Sequence, residues 1–230
     1  MENLKVLAFD ADDTLWHNEI FFREIEEKFC QLLGEFLPPH TVARELLKQE
    51  IANLDYYGYG IKSFMLSMIE TAIQVTGRRV PVEAIETILS YGKEMMMKPV
   101  EVMDGVEEVL SAVRGSYRLV VATKGDLIDQ ERKLKKSGLA HYFHHIEIMS
   151  DKKESDFKKL IQRLDIRPEE FVMIGNSLKS DILPVLMLGG HGIHIPYHVT
   201  WEHEMIEAND DHPHFMKAKH IREITDLLKG

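Results

Sequence analysis

Lys5-Val6-Leu7-Ala8-Phe9-Asp10-Ala11-Asp12-Asp13-Thr14 is the stretch that decides the fold. Its first part is an apolar run bounded by polar residues, the pattern of a short strand covered on both faces. The acidic run follows at the strand's carboxyl end, which is where open parallel sheets bind their ligands. An acidic turn that merely caps the next segment would read the same way, so the rest of the chain has to choose. Similar apolar runs recur at Leu119 to Ala122, Ile146 to Met149, Phe171 to Ile174 and Gly192 to Ile195. Between them lie helical spacings: Val106, Val109, Leu110 and Val113; Phe157, Leu160, Ile161 and Leu164; Ile182, Val185, Leu186 and Leu188. Asp104 with Glu107 reads as a capping box for the first of these, and Gly115 closes it. Strands alternating with single helices predict βαβ units, an α/β fold with a doubly wound parallel sheet.

Residues 17–99 break that rhythm. Phe21, Ile25, Phe29, Leu32, Leu33 and Phe36 make one helical stripe, ended by Pro38-Pro39, and Val42, Leu46, Leu47 and Ile51 make a second. Phe64, Met65, Met68, Ile69 and Ala72 form a third, stopped at Gly77, and Pro81 opens a fourth that Pro99 ends. The expected division is a sheet domain of residues 1–16 and 100–230, with an α-helical domain inserted over 17–99. Within the insert, Asp55 to Lys62 reads as a tyrosine-rich loop that carries Tyr56, Tyr57 and Tyr59 with Gly58 and Gly60.

Composition removes several function classes. Apolar residues at 44% and charged residues at 29% suit a globular chain with a buried core. No apolar run approaches the roughly 20 residues of a membrane span. The start of the chain enters the first strand without a basic region and an apolar stretch, so no secretory signal is expected. Cys30 is the only cysteine, which excludes a disulfide framework and suits the cytoplasm. Its apolar flanks predict a buried thiol, not a nucleophile. With a net charge of −10, the chain shows no basic stripe interleaved with aromatics, and no nucleic-acid partner is expected. Arg132, Lys133, Lys135 and Lys136 read as the solvated face of a short helix ending at Gly138. His191, His194, His198, His203, His212, His214 and His220 lie in loop-like sequence, without the tight pairing of a zinc site.

The strand ends carry the chemistry. Thr123 ends the second run and Lys124-Gly125-Asp126 follows; Asp151-Lys152-Lys153-Glu154-Ser155-Asp156-Phe157 follows the third; the fourth ends in Gly175-Asn176-Ser177-Leu178-Lys179-Ser180-Asp181. Two carboxylates, a hydroxyl, an ammonium and an amide–carboxylate pair at converging strand tips suit a dianion with a hard cation. In this order the four segments resemble the motifs of haloacid dehalogenase-like phosphatases: D-x-D-x-T at Asp10, Asp12 and Thr14, a threonine at Thr123, a lysine at Lys152, and a glycine–acid motif at Gly175 to Asp181. The helical insert falls where one cap type of that superfamily falls. Three departures stand out. Asp13 replaces a common glycine, Lys153 and Ser155 replace frequent prolines, and Asn176 replaces the usual aspartate.

The resemblance implies a Rossmann-like core with a helical cap and a Mg2+-dependent phosphatase acting through an aspartyl-phosphate. Asp10 would be the nucleophile and Asp12 the general acid and base. Ala11, Thr123, Lys124 and Lys152 would hold the phosphoryl group, and Asp10, Asp12 (through its backbone carbonyl), Asn176 and Asp181 the metal. A haloacid dehalogenase, a phosphomutase and a phosphate-binding regulatory protein share these motifs. The first typically lacks the second aspartate, and only Asn176 favours the last. The implied partner is a small phosphorylated metabolite, and no feature sets an oligomeric state. Tyr56, Tyr57 and Tyr59, with Trp16-His17-Asn18, are the candidates for recognising its leaving group.

Overall fold

The computed structural model describes residues 3–206 and 211–229. The chain divides into two compact units. Met1–Glu19, Val100–Lys124 and Gln130–Gly230 form one, and Ile20–Pro99 with Gly125–Asp129 form the other. Among the described residues no helix is long and apolar enough to cross a membrane.

The second unit is helical: α1 (Glu19–Leu32), α2 (Pro39–Tyr57), α3 (Ile61–Val75) and α4 (Val82–Met97). Ile25, Phe29, Leu33, Val42, Leu46, Met68, Ala72 and Ile88 are fully buried in its core. They recur at helical spacing, so each helix turns one stripe inward. A buried Leu, Ile or Phe contributes about 1.5–3 kcal/mol, so this unit's stability is mainly apolar. The tyrosine segment differs from the sequence reading. Tyr56 and Tyr57 form the last turn of α2, and Tyr57 Oη donates to Glu70 Oε1 at 3.0 Å. Only Gly58 to Gly60 make the connection; Gly60 has φ +106, a left-handed conformation that suits glycine. The first stripe also stops short of Phe36, because α1 ends at Leu32. Cys30 is buried as expected, and burial, reinforced by Glu26 and Glu27, pushes its thiol up to about 11.

The first unit is built on a sheet of β1 (Val6–Phe9), β2 (Arg118–Lys124), β3 (His145–Met149), β4 (Phe171–Gly175), β5 (His191–His194) and β6 (Phe215–Lys217). The order is β3-β2-β1-β4-β5-β6 and every pairing is parallel. Alternation explains why β1 is apolar throughout. Leu7 and Phe9 pack with α5 (Val106–Val113), whereas Val6 and Ala8 pack with α7 (Glu154–Arg163). Between these helices in sequence lies α6 (Leu127–Ser137), whose first three residues belong to the helical unit. Beyond α7 come α8 (Leu183–Met187) and α9 (Ile224–Leu227). β6 was not expected, since a three-residue run shows no periodicity.

The capping box at Asp104 does not form. Gly105 occupies the cap position of α5, and the Asp104 carboxylate pairs instead with Arg222, at 2.5 and 2.8 Å. The order of strands reverses between β1 and β4, so the crevice of the fold opens at their carboxyl ends.

Candidate active site

Asp10 leaves β1 in register with the neighbouring strands, its N–H donating to Ile174 O at 2.9 Å. Its carboxylate is buried and pairs with the Lys152 ammonium, which also donates to Asp181 Oδ1 at 2.6 Å. The other Asp181 oxygen accepts from the Ser177 N–H at 2.9 Å. Two acids therefore share one ammonium with almost no water. Burial pushes the Asp10 carboxyl up to about 7 against the pull of Lys152, and Asp181 pushes the same way. Burial alone would discharge Lys152, but the charges of Asp10 and Asp181 outweigh it and raise its pKa. The approach of Asp181 requires Gly175, where an added Cβ would lie 2.5 Å from Asp181 Cγ.

A second group of atoms converges on the other oxygen of Asp10. One side-chain amide atom of Asn176 lies 3.2 Å from Asp10 Oδ2 and from the backbone oxygen of Asp12. As nitrogen it donates to both. As oxygen it accepts from Thr14 Oγ1 at 3.4 Å and completes a trio of acceptors. Oxygens about 3 Å apart match neighbouring ligands of an octahedral ion with about 2.1 Å bonds. Among the described residues no cluster of three His, Cys, Asp or Glu side chains forms a metal cage. Any hard-cation site here would therefore use an amide and a main-chain carbonyl beside Asp10.

Asp12 turns its side chain elsewhere. Oδ1 accepts from Trp16 Nε1 at 2.7 Å and Lys133 Nζ at 2.6 Å; Oδ2 accepts from Gln130 Nε2 at 2.8 Å. Lys133 is thus no part of a solvated face: its ammonium also donates to Asn18 Oδ1 at 3.1 Å. Sequence reasoning missed both α6 residues, because polar residues on a short helix give no sign of which one points inward.

Thr123 is buried one residue before the end of β2, and Ala11 is buried in the turn. Lys124 points to a different cluster. Its ammonium donates to Glu204 Oε1 at 2.6 Å and to Ser180 Oγ at 2.8 Å, and Glu204 Oε2 accepts from Ser177 Oγ and Ser180 Oγ at 2.6 Å each. Trp16 is buried, and His17 Nδ1 lies 2.7 Å from Tyr197 Oη, so both are engaged within the sheet unit. Tyr56, Tyr57 and Tyr59 belong to the helical unit. The His214 ring stacks on that of His191 and meets that of His212 edge-on.

The profile of the haloacid dehalogenase-like hydrolases matches residues 4–185. The chain belongs to this hydrolase family. A haloacid dehalogenase-like hydrolase from Xanthomonas campestris is 37% identical, with a TM-score of 0.89 over 99% of this chain and 91% of its own. The glyceraldehyde 3-phosphate phosphatase of Methanothermobacter thermautotrophicus is 24% identical over 91% of this chain and 90% of its own length. A 2-haloacid dehalogenase from Pseudomonas syringae shares the fold at 17% identity, with a TM-score of 0.64 over 98% of both chains. A shared fold therefore leaves the reaction to the site residues.

Within this hydrolase family's motifs, the departures have local reasons. Asp13 adopts φ +62, which explains why glycine is common there, and its carboxylate accepts from the N–H groups of Asn18 and Glu19. Burial and the adjacent Asp12 charge push Asp13 up to about 7. At Lys153 the backbone N–H donates to Asp156 Oδ2 at 3.3 Å, a bond that a proline cannot make.

Proposed function

We propose that this phosphatase hydrolyses a small phosphomonoester in two steps through a phosphorylated Asp10, with Mg2+ as its cofactor. The observation that carries the reading is the buried Asp10–Lys152–Asp181 cluster at the strand tips, with a second carboxylate two residues on. An Asp10 oxygen attacks phosphorus and the bond to the ester oxygen breaks. Asp12 gives its proton to that leaving oxygen. Asp12 then takes a proton from water as the water attacks phosphorus, the aspartyl–phosphorus bond breaks and phosphate departs. The Thr123 hydroxyl and the Ala11 N–H bind phosphoryl oxygens, and Lys152 supplies the positive charge. Lys124 is assigned outside this set, because its ammonium is committed to Glu204.

The residues present fit a hard cation: Asp10 Oδ2, the Asp12 carbonyl and the Asn176 amide oxygen would hold it, with the Asp181 charge behind them. Mg2+ bound there would neutralise phosphoryl charge and align the attack. The helical unit, inserted between the first and second motifs, is assigned as the cap that selects the leaving group, and Tyr56, Tyr57 and Tyr59 are its candidate contacts. Three-carbon phosphates such as glyceraldehyde 3-phosphate come first as substrates, since an archaeal relative of near-equal length is a phosphatase of that compound. The lone buried thiol suits the reducing cytoplasm.

The test is a panel of phosphorylated metabolites, run with Mg2+ and with a chelator. Acid-quenched samples then go to mass spectrometry. The expected result is turnover that needs Mg2+ and a phosphate adduct on Asp10. Undiminished turnover in chelator would remove the metal, and an adduct on another residue would remove the mechanism.

A further inference from the structure

We infer that Gln130 and Lys133 on α6 are positioning residues that orient the Asp12 carboxylate for proton transfer. The inference rests on the proposed role of Asp12 and extends it to residues outside the family motifs quoted above. Lys133 is the first observation. On a short helix with Arg132, Lys135 and Lys136, a lysine normally keeps its head in water. The Lys133 side chain is only 14% exposed, and its ammonium meets Asp12 Oδ1 at 2.6 Å and Asn18 Oδ1 at 3.1 Å.

Gln130 is the second, independent observation. It is 5% exposed, and its Nε2 donates to Asp12 Oδ2 at 2.8 Å and to Lys124 O at 3.0 Å. Its Oε1 is buried and has no hydrogen-bond partner among the described residues. A buried orphan acceptor costs about 1–3 kcal/mol. Turning the amide over would be worse, because oxygen would then face two acceptors. The amide is therefore locked with its donors on Asp12. A fold seeking stability alone would satisfy that oxygen, and such local conflicts gather at functional sites.

The bonds also single out an oxygen. Oδ1 already accepts from Trp16 and Lys133, which uses both of its lone pairs, whereas among the described residues Oδ2 accepts from Gln130 alone. Oδ2 is thus the atom with room for the proton that Asp12 gives to the leaving oxygen and later recovers from water. Between those two transfers the cradle holds the carboxylate in place.

The experiment compares kcat/KM on an alkyl phosphate with that on para-nitrophenyl phosphate, whose leaving group departs without protonation. The variants are Lys133→Met, Gln130→Met, Asp12→Asn and Asp12→Asn combined with Lys133→Met, with thermal melts in parallel. Lys133→Met and Gln130→Met should each lose about 10–100-fold on the alkyl ester, part of the about 10²–10⁴ that a general acid supplies. On the aryl ester the loss should stay within about 3-fold, since that step needs no acid. In the Asp12→Asn background, Lys133→Met should add little, because residues acting as one unit are not additive. If Asp12→Asn discriminates between the esters but both α6 variants lose equally on them or lose nothing, the positioning role is overturned. If Asp12→Asn itself loses equally on both, the acid assignment falls instead. Should Lys133→Met fail to fold, Gln130→Met carries the same comparison, and Lys133→Gln, which keeps a donor, should recover part of the alkyl rate.

Discussion

Two buried clusters border the same turn, Ser177 to Asp181, and their carboxylates behave in opposite ways. In the Asp10 cluster, two acids compete for the Lys152 ammonium, and burial leaves the Asp10 carboxyl pushed up to about 7. In the Glu204 cluster, one acid accepts from the Lys124 ammonium and from two serine hydroxyls. There burial also pushes upward, but the charge of Lys124 and the bonds from Lys124, Ser177 and Ser180 win and bring Glu204 down to about 2. Each cluster contains a lysine, so the difference lies in the ratio of acids to donors. A satisfied carboxylate stabilises the fold, and an under-supplied one is left reactive. The first kind of cluster braces the turn that the second kind uses.

The largest effect that sharpens this comparison is on Asp10. Asp10→Asn should lower turnover by about 10³-fold or more, as removal of a nucleophile does. The variant should melt no lower than wild type, because one acid and one ammonium then remain. A melting point several degrees lower would show that Asp10 is structural and would erase the contrast.

Glu204→Ala should do the reverse at the level of stability. It breaks the Lys124–Glu204 pair and should cost roughly 3 kcal/mol, the scale for breaking a buried pair. In a chain of this size that is about 6–12 °C in Tm. The sign of the pH dependence follows from the lowered pKa. Glu204 stabilises the fold fully above its ordinary value of 4.5, and that contribution is lost as pH falls towards about 2. Urea unfolding of wild type between those limits should lose stability that Glu204→Ala does not lose. Parallel curves for the two proteins would mean that the Glu204 cluster contributes nothing.

The smallest effect concerns Asn176, which touches the Asp10 cluster through Asp10 Oδ2. Asn176→Ala should raise the Mg2+ concentration for half-maximal rate about 10–100-fold, since even a group outside a metal's own ligands costs that much when lost. Asn176→Asp should be tolerated. A magnesium titration reads both, and an unchanged midpoint in Asn176→Ala would place the amide outside the metal site.

The parallel sheet and the helical insert are legible in the sequence, which also offers Asp10, Asp12, Thr123, Lys152, Asn176 and Asp181 as the candidate site. Strand β1 is apolar on both faces because both faces are covered, and the polar residues needed for chemistry then fall at the strand tips. β6, with three residues, lay below the length at which periodicity is informative. Asp104 looked like a helix cap because its spacing to Glu107 was right, yet Arg222 offered a better partner from 118 residues away.

What the sequence determined by itself was everything that repeats or terminates locally: strand and helix periods, their breakers, and which residue types stand at each strand end. Only the tertiary structure decided who partners whom. Lys133 and Gln130 reach Asp12 across 121 and 118 residues, and Lys124 reaches Glu204 across 80. The physical reason is that a side chain's hydrogen-bond inventory is set by its identity, whereas its partner is set by which groups the packed backbone brings within about 3 Å. Two lysines one strand apart, Lys124 and Lys152, thus read alike along the chain, and only the fold pairs one with Glu204 and the other with Asp10 and Asp181.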